Sequence, residues 1–343
     1  MTRFLRIGLA AAFACTGVLA DDDDGVMGVW EGNFTSPGWE ARTIKAKIWG
    51  VKKGAWDGKF TVYENDAAIG EGTLSDPTTD TTFAFTGSAN VSGEYFLSAT
   101  AIEGKMSGQI IPGKESKKGN IRPDKKAGAP IAFEMTRQQI KPPTLGAPAP
   151  EGAIVLLKDG NQDAWVTRPE KWNPIANGGF EVASPAIVTK QEFGSAKIHI
   201  EFCTPYMPNE GVGSQARGNS GVYVQGRYEI QVLDSFGVTP QNNLCGGIYK
   251  IAVPLAEAAL PPLTWQTYDI EFHAPKFDAS GKKTQDAELT VLHNGIVIHD
   301  KLKLPAATPG GITDVEGPTG PILLQHHGDR VQYANIWVQP IND

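Results

Sequence analysis

Short stretches of alternating apolar and polar residues, cut at close intervals by Gly, Pro, Asn and Asp, run through this chain, and no segment sustains a helical period. Over residues 43–49, Ile44, Ala46 and Ile48 alternate with Lys45 and Lys47. Successive side chains of a strand point to opposite faces, so this spacing predicts a half-buried strand. The same reading predicts strands at 56–63, 82–85, 95–101, 105–111 and 131–137, with a tight hairpin turn at Glu103-Gly104. Residues 112–130, rich in Lys and Gly, read as an exposed loop. The run 141–151, with four prolines, reads as a linker in extended geometry and as the domain boundary, because proline fixes φ and removes an amide donor.

Beyond the linker the strands lengthen. They are expected at 197–202, 221–235, 265–273, 287–293, 296–300, 321–325 and 331–339, with a type I′ hairpin at Asn294-Gly295 and at most a short helical turn at 255–260. Many strands without helices predict an all-β fold. The first part, 25–140, is a small antiparallel barrel or meander, and 152–343 is a jelly-roll sandwich. The opening Gly28-Val29-Trp30 is similar to the first strand of lipocalin-like barrels, although the motif is short.

Composition removes some functions. The 343 residues carry a net charge of −7, which opposes a nucleic-acid binder and electrostatic docking on anionic lipid. Arg3 and Arg6, an apolar stretch over 7–20 and Val18-Leu19-Ala20 read as a signal peptide cleaved after residue 20, ahead of four aspartates. The expected location is periplasmic or secreted, with no membrane span after cleavage. Cys203 and Cys245 then remain, and an exported compartment leaves open both a disulfide and two separate buried thiols.

Two segments carry candidate chemistry. In 228–233, Tyr228, Ile230 and Val232 face one way, and Glu229, Gln231 and Leu233 the other. One face needs a second sheet to cover it. The other presents a carboxylate and an amide about 7 Å apart, a spacing that suits two contacts on one sugar ring. The second segment ends in Gln325-His326-His327, where one histidine is available to a given face for acid–base work. Asp234 is a further candidate acid or metal ligand, against a turn-capping role. The Gly-x-Ser-x-Gly, Gly-x-Gly-x-x-Gly and His-Glu-x-x-His patterns are absent, as is Glu-x-Asp-x-x-Glu of retaining jelly-roll glucanases. A two-carboxylate hydrolase would need its second carboxylate from elsewhere.

Read in order, Thr189-Lys-Gln-Glu-Phe193, Arg217-Gly-Asn-Ser-Gly-Val-Tyr223, Gly226-Arg-Tyr-Glu-Ile-Gln-Val-Leu-Asp-Ser235, Cys245-Gly-Gly-Ile-Tyr249, Trp265-Gln-Thr-Tyr268, His293-Asn-Gly295, Leu324-Gln-His-His-Gly328 and Asn335-Ile-Trp337 resemble one family. It is the 3-keto-disaccharide hydrolase domain, also described as 3-keto-glucoside-1,2-lyase and 3-keto-2-hydroxyglucal hydratase. The resemblance spans 152–343 and implies a concanavalin-like jelly roll acting on carbohydrate. His326 departs from it, since the pattern usually places an acidic residue before His-Gly.

The implied reaction begins at a sugar oxidised at C3, whose C2 proton is acidic. It needs a base, a group that stabilises the enolate and an acid for the leaving group. The expected roles are Glu229 as base, His327 and Asp234 as further acid–base candidates, and Asn219, Tyr223, Gln231 and Gln325 as substrate-binding residues. Arg217 or a divalent metal would steady the enolate. No spacing defines a metal-ligand set, so no cofactor is assigned and a divalent metal stays open. The competing readings are a non-catalytic carbohydrate-binding module and a surface protein whose barrel recruits a partner. In the former, Trp39, Trp49 and Trp56 form a sugar platform, against their being core.

Overall fold

The computed structural model describes residues 26–52, 54–76, 83–117, 120–124, 126–166 and 172–342. The leader, the four aspartates and Cys15 lie outside these residues. All regular elements described are strands. In the first half they are β1 (Gly28–Phe34), β2 (Arg42–Lys52), β3 (Ala55–Glu64), β4 (Ala67–Asp76), β5 (Phe83–Asn90), β6 (Glu94–Ile102), β7 (Lys105–Glu115), β8 (Ile121–Pro123) and β9 (Ile131–Arg137). Neighbours pair antiparallel from β1 to β7, and β9 bridges β7 to β1, so eight strands close into a barrel with β8 added on β7. The expected loop over 112–130 is thus partly a strand extension.

The barrel is filled by its own side chains, with Trp30, Trp56, Phe60, Phe85 and Phe133 in one cluster. Trp56 is core rather than platform. Trp39 packs on Phe34, and the Trp49 ring lies under Gly237 of the second half. Strand β4 escaped the sequence reading because Ala, Gly, Glu and Ser are weak strand formers. Its glycines have a packing reason: a Cβ on Gly72 would collide with the Phe60 ring and with the Ser88 carbonyl. Glu103 and Gly104 both take positive φ in the expected hairpin turn.

The second half contains β10 (Ile154–Leu157), β11 (Trp165–Val166), β12 (Asn173–Pro174), β13 (Phe180–Glu181), β14 (Ile187–Phe193), β15 (Ala196–Cys203), β16 (Ser220–Val224) and β17 (Tyr228–Val232). It continues with β18 (Gln266–His273), β19 (Lys276–Phe277), β20 (Lys283–Gln285), β21 (Ala287–His293), β22 (Ile296–Leu304), β23 (Gly320–Leu324) and β24 (Gln332–Pro340). One sheet runs β12-β13-β24-β15-β18-β21-β22, with β10 also on β24, and the other runs β11-β14-β23-β16-β17. Their facing sides make one core. Ile198, Ile200, Phe202, Tyr268, Ile270 and Phe272 come from the first sheet, and Val222, Val224, Tyr228, Ile230, Val232 and Leu324 from the second. This is the all-β sandwich that the alternation requires, since each sheet hides its apolar face against the other. Residues 255–260 carry no helical turn. Asn294 and Gly295 both have positive φ, as a type I′ turn demands.

The Pro-rich run 141–150 is no free tether. It lies on the outer face of the first sheet, where Pro143 packs against Gly295 and Thr144 Oγ1 donates to Asp269 Oδ2 at 2.6 Å. The Gly146 amide donates to Glu201 Oε1 at 2.6 Å. Cys203 and Cys245 are both buried thiols that are not joined in a disulfide. Cys203 sits beside the Thr204 carbonyl and Cys245 against the Tyr268 hydroxyl, so the disulfide alternative is set aside.

Candidate active site

The hairpin β16–β17 turns at Gln225 and Gly226, both with positive φ. A two-residue turn sets the register, and it places Tyr223 directly opposite Glu229 and Gly221 opposite Gln231. On the face away from the core stand Asn219, just ahead of β16, then Gly221 and Tyr223, with Glu229 and Gln231 on β17. Gln325 follows β23, and its amide donates to the Gly221 carbonyl at 2.9 Å. Gly221 is the floor. With no side chain of its own, it lets the Glu229 carboxylate lie across it, where a Cβ would collide.

This face is covered, not wet. The Glu229 amide donates to Thr308 Oγ1 at 2.9 Å, and Gly310 packs on the Tyr223 hydroxyl. Along the free edge of β17, Gln231 exchanges backbone bonds with Gly246 and Gly247, and the Tyr249 amide donates to the Glu229 carbonyl. Glu229 is left 2% exposed. Burial pushes its carboxyl up to about 7, while a hydrogen bond from Tyr223 pulls the other way. Burial first, and then the neighbouring Glu229 charge, hold the Tyr223 phenol above its ordinary value, so it stays protonated and donates. Gln325 Nε2 donates to the Tyr223 hydroxyl at 3.1 Å.

Around this carboxyl the amides are incompletely paired. Asn219 Oδ1, Gln231 Oε1 and Gln325 Oε1 are buried acceptors without a hydrogen-bond partner. Buried carbonyl oxygens are nearly always satisfied, so three orphans on one sheet face mark a place where donors are to be supplied.

The remaining expected residues lie elsewhere. Arg217 and Asp234 are spent on each other: Arg217 Nε donates to Asp234 Oδ2 at 2.7 Å, and the two residues are 1% and 2% exposed. Arg217 also donates to the Glu210 carbonyl. With these groups engaged on each other, the pair braces the loop ahead of β16. His327 is exposed on the segment after β23, two positions before Asp329. Asp329 accepts from the Asn219 amide at 2.7 Å. Among the described residues no group of three or more His, Cys, Asp or Glu side chains is arranged to hold a metal ion, and no step below uses one. Gln215, Thr308 and Asp329 were missed in the sequence, because each reaches the site from a loop with no periodicity to mark it.

Residues 152–339 match the family described as the 3-keto-alpha-glucoside-1,2-lyase-like domain. The chain belongs to this family. A candidate glycosyl hydrolase of solved structure from Parabacteroides distasonis is 35% identical, with a TM-score of 0.51, covering 56% of this chain and 85% of its own. A second from the same organism is 16% identical, with a TM-score of 0.42, covering 56% of this chain and 95% of its own. No curated protein matches the chain.

Proposed function

We propose that the protein is a carbohydrate-active enzyme that cleaves 3-keto-glucosides by elimination, with Glu229 as the proton carrier. The observation that carries this reading is a single buried carboxyl, held near neutrality, among three amide oxygens that lack donors. Family membership and the 35% identical candidate glycosyl hydrolase support the carbohydrate class. One carboxyl poised at neutral pH suits proton abstraction next to a ketone, whereas oxocarbenium chemistry asks for two, and Asp329, the other carboxyl near this face, is held by the Asn219 amide.

In the proposed sequence the Glu229 carboxylate takes the C2 proton, and the C–H electron pair becomes the enolate of the C3 ketone. The Tyr223 hydroxyl, released from Glu229 once that group is protonated, donates to the enolate oxygen, the role first expected of Arg217, whose guanidinium is engaged by Asp234 and the Glu210 carbonyl. The enolate collapses to the C3 ketone, the C1–C2 double bond forms, and the glycosidic C1–O bond breaks. The Glu229 proton passes to the departing oxygen. Addition of water, hydroxyl to C1 and proton to C2, completes net hydrolysis. His327 is the second candidate acid. A fall in kcat for His327→Ala assigns it to leaving-group departure, and an unchanged kcat leaves it a rim residue.

The deciding experiment incubates the purified protein with a 3-keto-glucoside and follows enone absorbance in the ultraviolet. Turnover that is lost in a folded Glu229→Gln variant supports the reading. Binding without turnover by the wild type, with or without divalent metal, returns the protein to the binding-module class. Export rests on the leader pattern alone, and N-terminal sequencing of the mature protein tests it.

A further inference from the structure

Two of the three orphan acceptors owe their orientation to one residue outside the sheet. Gln215 lies on the loop ahead of β16. Its Nε2 donates to the Asn243 carbonyl at 2.8 Å, which fixes which end of its amide faces the site. Its Oε1 then accepts from Gln231 Nε2 at 3.4 Å. Its backbone carbonyl accepts from Asn219 Nδ2 at 2.7 Å. A carboxamide has one oxygen and one NH2, so occupying the NH2 ends of Asn219 and Gln231 turns both oxygens toward the unpaired side. Flipping Gln231 would set its oxygen against the Gln215 oxygen, and flipping Gln215 would set its NH2 against the Gln231 NH2. The arrangement is over-determined by a donor chain that starts at a backbone carbonyl, which has no alternative role.

We propose that Gln215 is a positioning residue that sets the hydrogen-bond polarity of the Glu229 site, so that the site selects ligands offering hydroxyl donors, as an unmodified sugar edge does. A ligand that presents only ketone, ether or carboxylate oxygens at that edge meets acceptors with acceptors. This rests on the sugar reading above and adds to it the feature by which the ring is recognised. Gln215 touches neither the Glu229 carboxyl nor Tyr223, so it acts on binding rather than on the proton transfer.

The test compares a 3-keto-glucoside with its 2-, 4- and 6-deoxy analogues on wild type, Gln215→Met and Gln215→Glu. A site whose buried acceptors lose their donor rejects the analogue, so the wild type should lose roughly tenfold or more in kcat/KM for at least one deoxy compound. In Gln215→Met the Gln231 amide is free to flip. KM for the parent should rise about tenfold with kcat within about threefold, and the deoxy penalty should shrink to about threefold or less. Gln215→Glu, once protonated so that its acid hydroxyl donates to the Asn243 carbonyl, keeps the acceptor toward Gln231 and at that pH should keep the penalty, which supplies a second readout where the Met variant does not fold. A Met variant that retains the full penalty, or a protonated Glu variant that loses it, overturns the role of Gln215 while leaving the elimination reading intact. A wild type that neither turns over the parent nor binds it by calorimetry overturns both.

Discussion

Tyr223 and Glu229 are a directly opposed cross-strand pair whose hydroxyl and carboxyl hydrogen-bond each other over the bare floor of Gly221. The contact couples the protonation of the proposed base to a phenol that cannot ionise at working pH. If Glu229 acts as the base, kcat/KM should rise with pH and level off above about 7. Tyr223→Phe removes the bond that favours the charged carboxylate, so the rise should move to higher pH and kcat should fall. A pH–rate profile of the two proteins checks both. An unmoved midpoint in the Phe variant would separate Tyr223 from the titrating group.

The same burial costs stability. The folded carboxyl of Glu229 has its pKa raised from 4.5 to about 7, so between these values the native state binds more protons than the unfolded chain. Stability therefore falls as pH rises through that window. Glu229→Gln, neutral at every pH, should unfold on the order of 1–3 kcal/mol higher than wild type at pH 8. The gain should shrink toward nothing below about pH 4.5. Urea unfolding at the two pH values measures the difference.

Arg217 and Asp234 form a buried ion pair at 2.7 Å behind the loop that carries Gln215 and Asn219. Removing one partner leaves an uncompensated charge in a dry site, so Arg217→Met should cost about 3–5 kcal/mol. The paired replacement Arg217→Met with Asp234→Leu should recover much of it, because no charge remains to desolvate. Chemical denaturation of the three variants reads this. Equal losses in the single and double variants would show that the geometry of the pair, and not its charge balance, holds the loop.

His199 is fully buried on the outer face, stacked on Trp337. Its Nδ1 lies 2.6 Å from Asp269 Oδ1 and its Nε2 3.3 Å from Glu201 Oε1. Burial alone would lower its pKa, but the bonds to the two carboxylates outweigh it and hold the ring at about 9. Those carboxylates also receive Thr144 and Gly146 of the connecting run, and Asn335 Nδ2 donates to Glu201. A raised folded pKa gives stability that is complete below about 6.5 and is lost as pH rises through about 9. His199→Gln should therefore lose on the order of 3 kcal/mol at pH 6 and much less at pH 9.5. Limited proteolysis over 141–150 should show the connector cut faster in the variant at pH 6.

Strand identity and facing were legible in the chain. Alternation in 228–233 assigns Tyr228, Ile230 and Val232 to the core and Glu229 and Gln231 to the opposite face, as the structure has them. Leu233, expected beside Glu229 and Gln231, joins the core instead, because the strand ends at Val232 and the alternation ends with it. Asn294-Gly295 and Glu103-Gly104 mark their hairpins because only certain residues accept positive φ in succession. These are local properties, set within a few residues, so sequence determines them. Tertiary structure alone decided that Arg217 and Asp234 neutralise each other, that Cys203 and Cys245 stay apart, and that the proline-rich run is fastened over His199. It also decided that Thr308, 79 positions from Glu229, and the turn at Gly246 and Gly247 cover the edge of the strand that carries Glu229. Periodicity states which way a side chain points. It does not state what covers it, and the state of the Glu229 carboxyl depends on the water that those distant segments exclude.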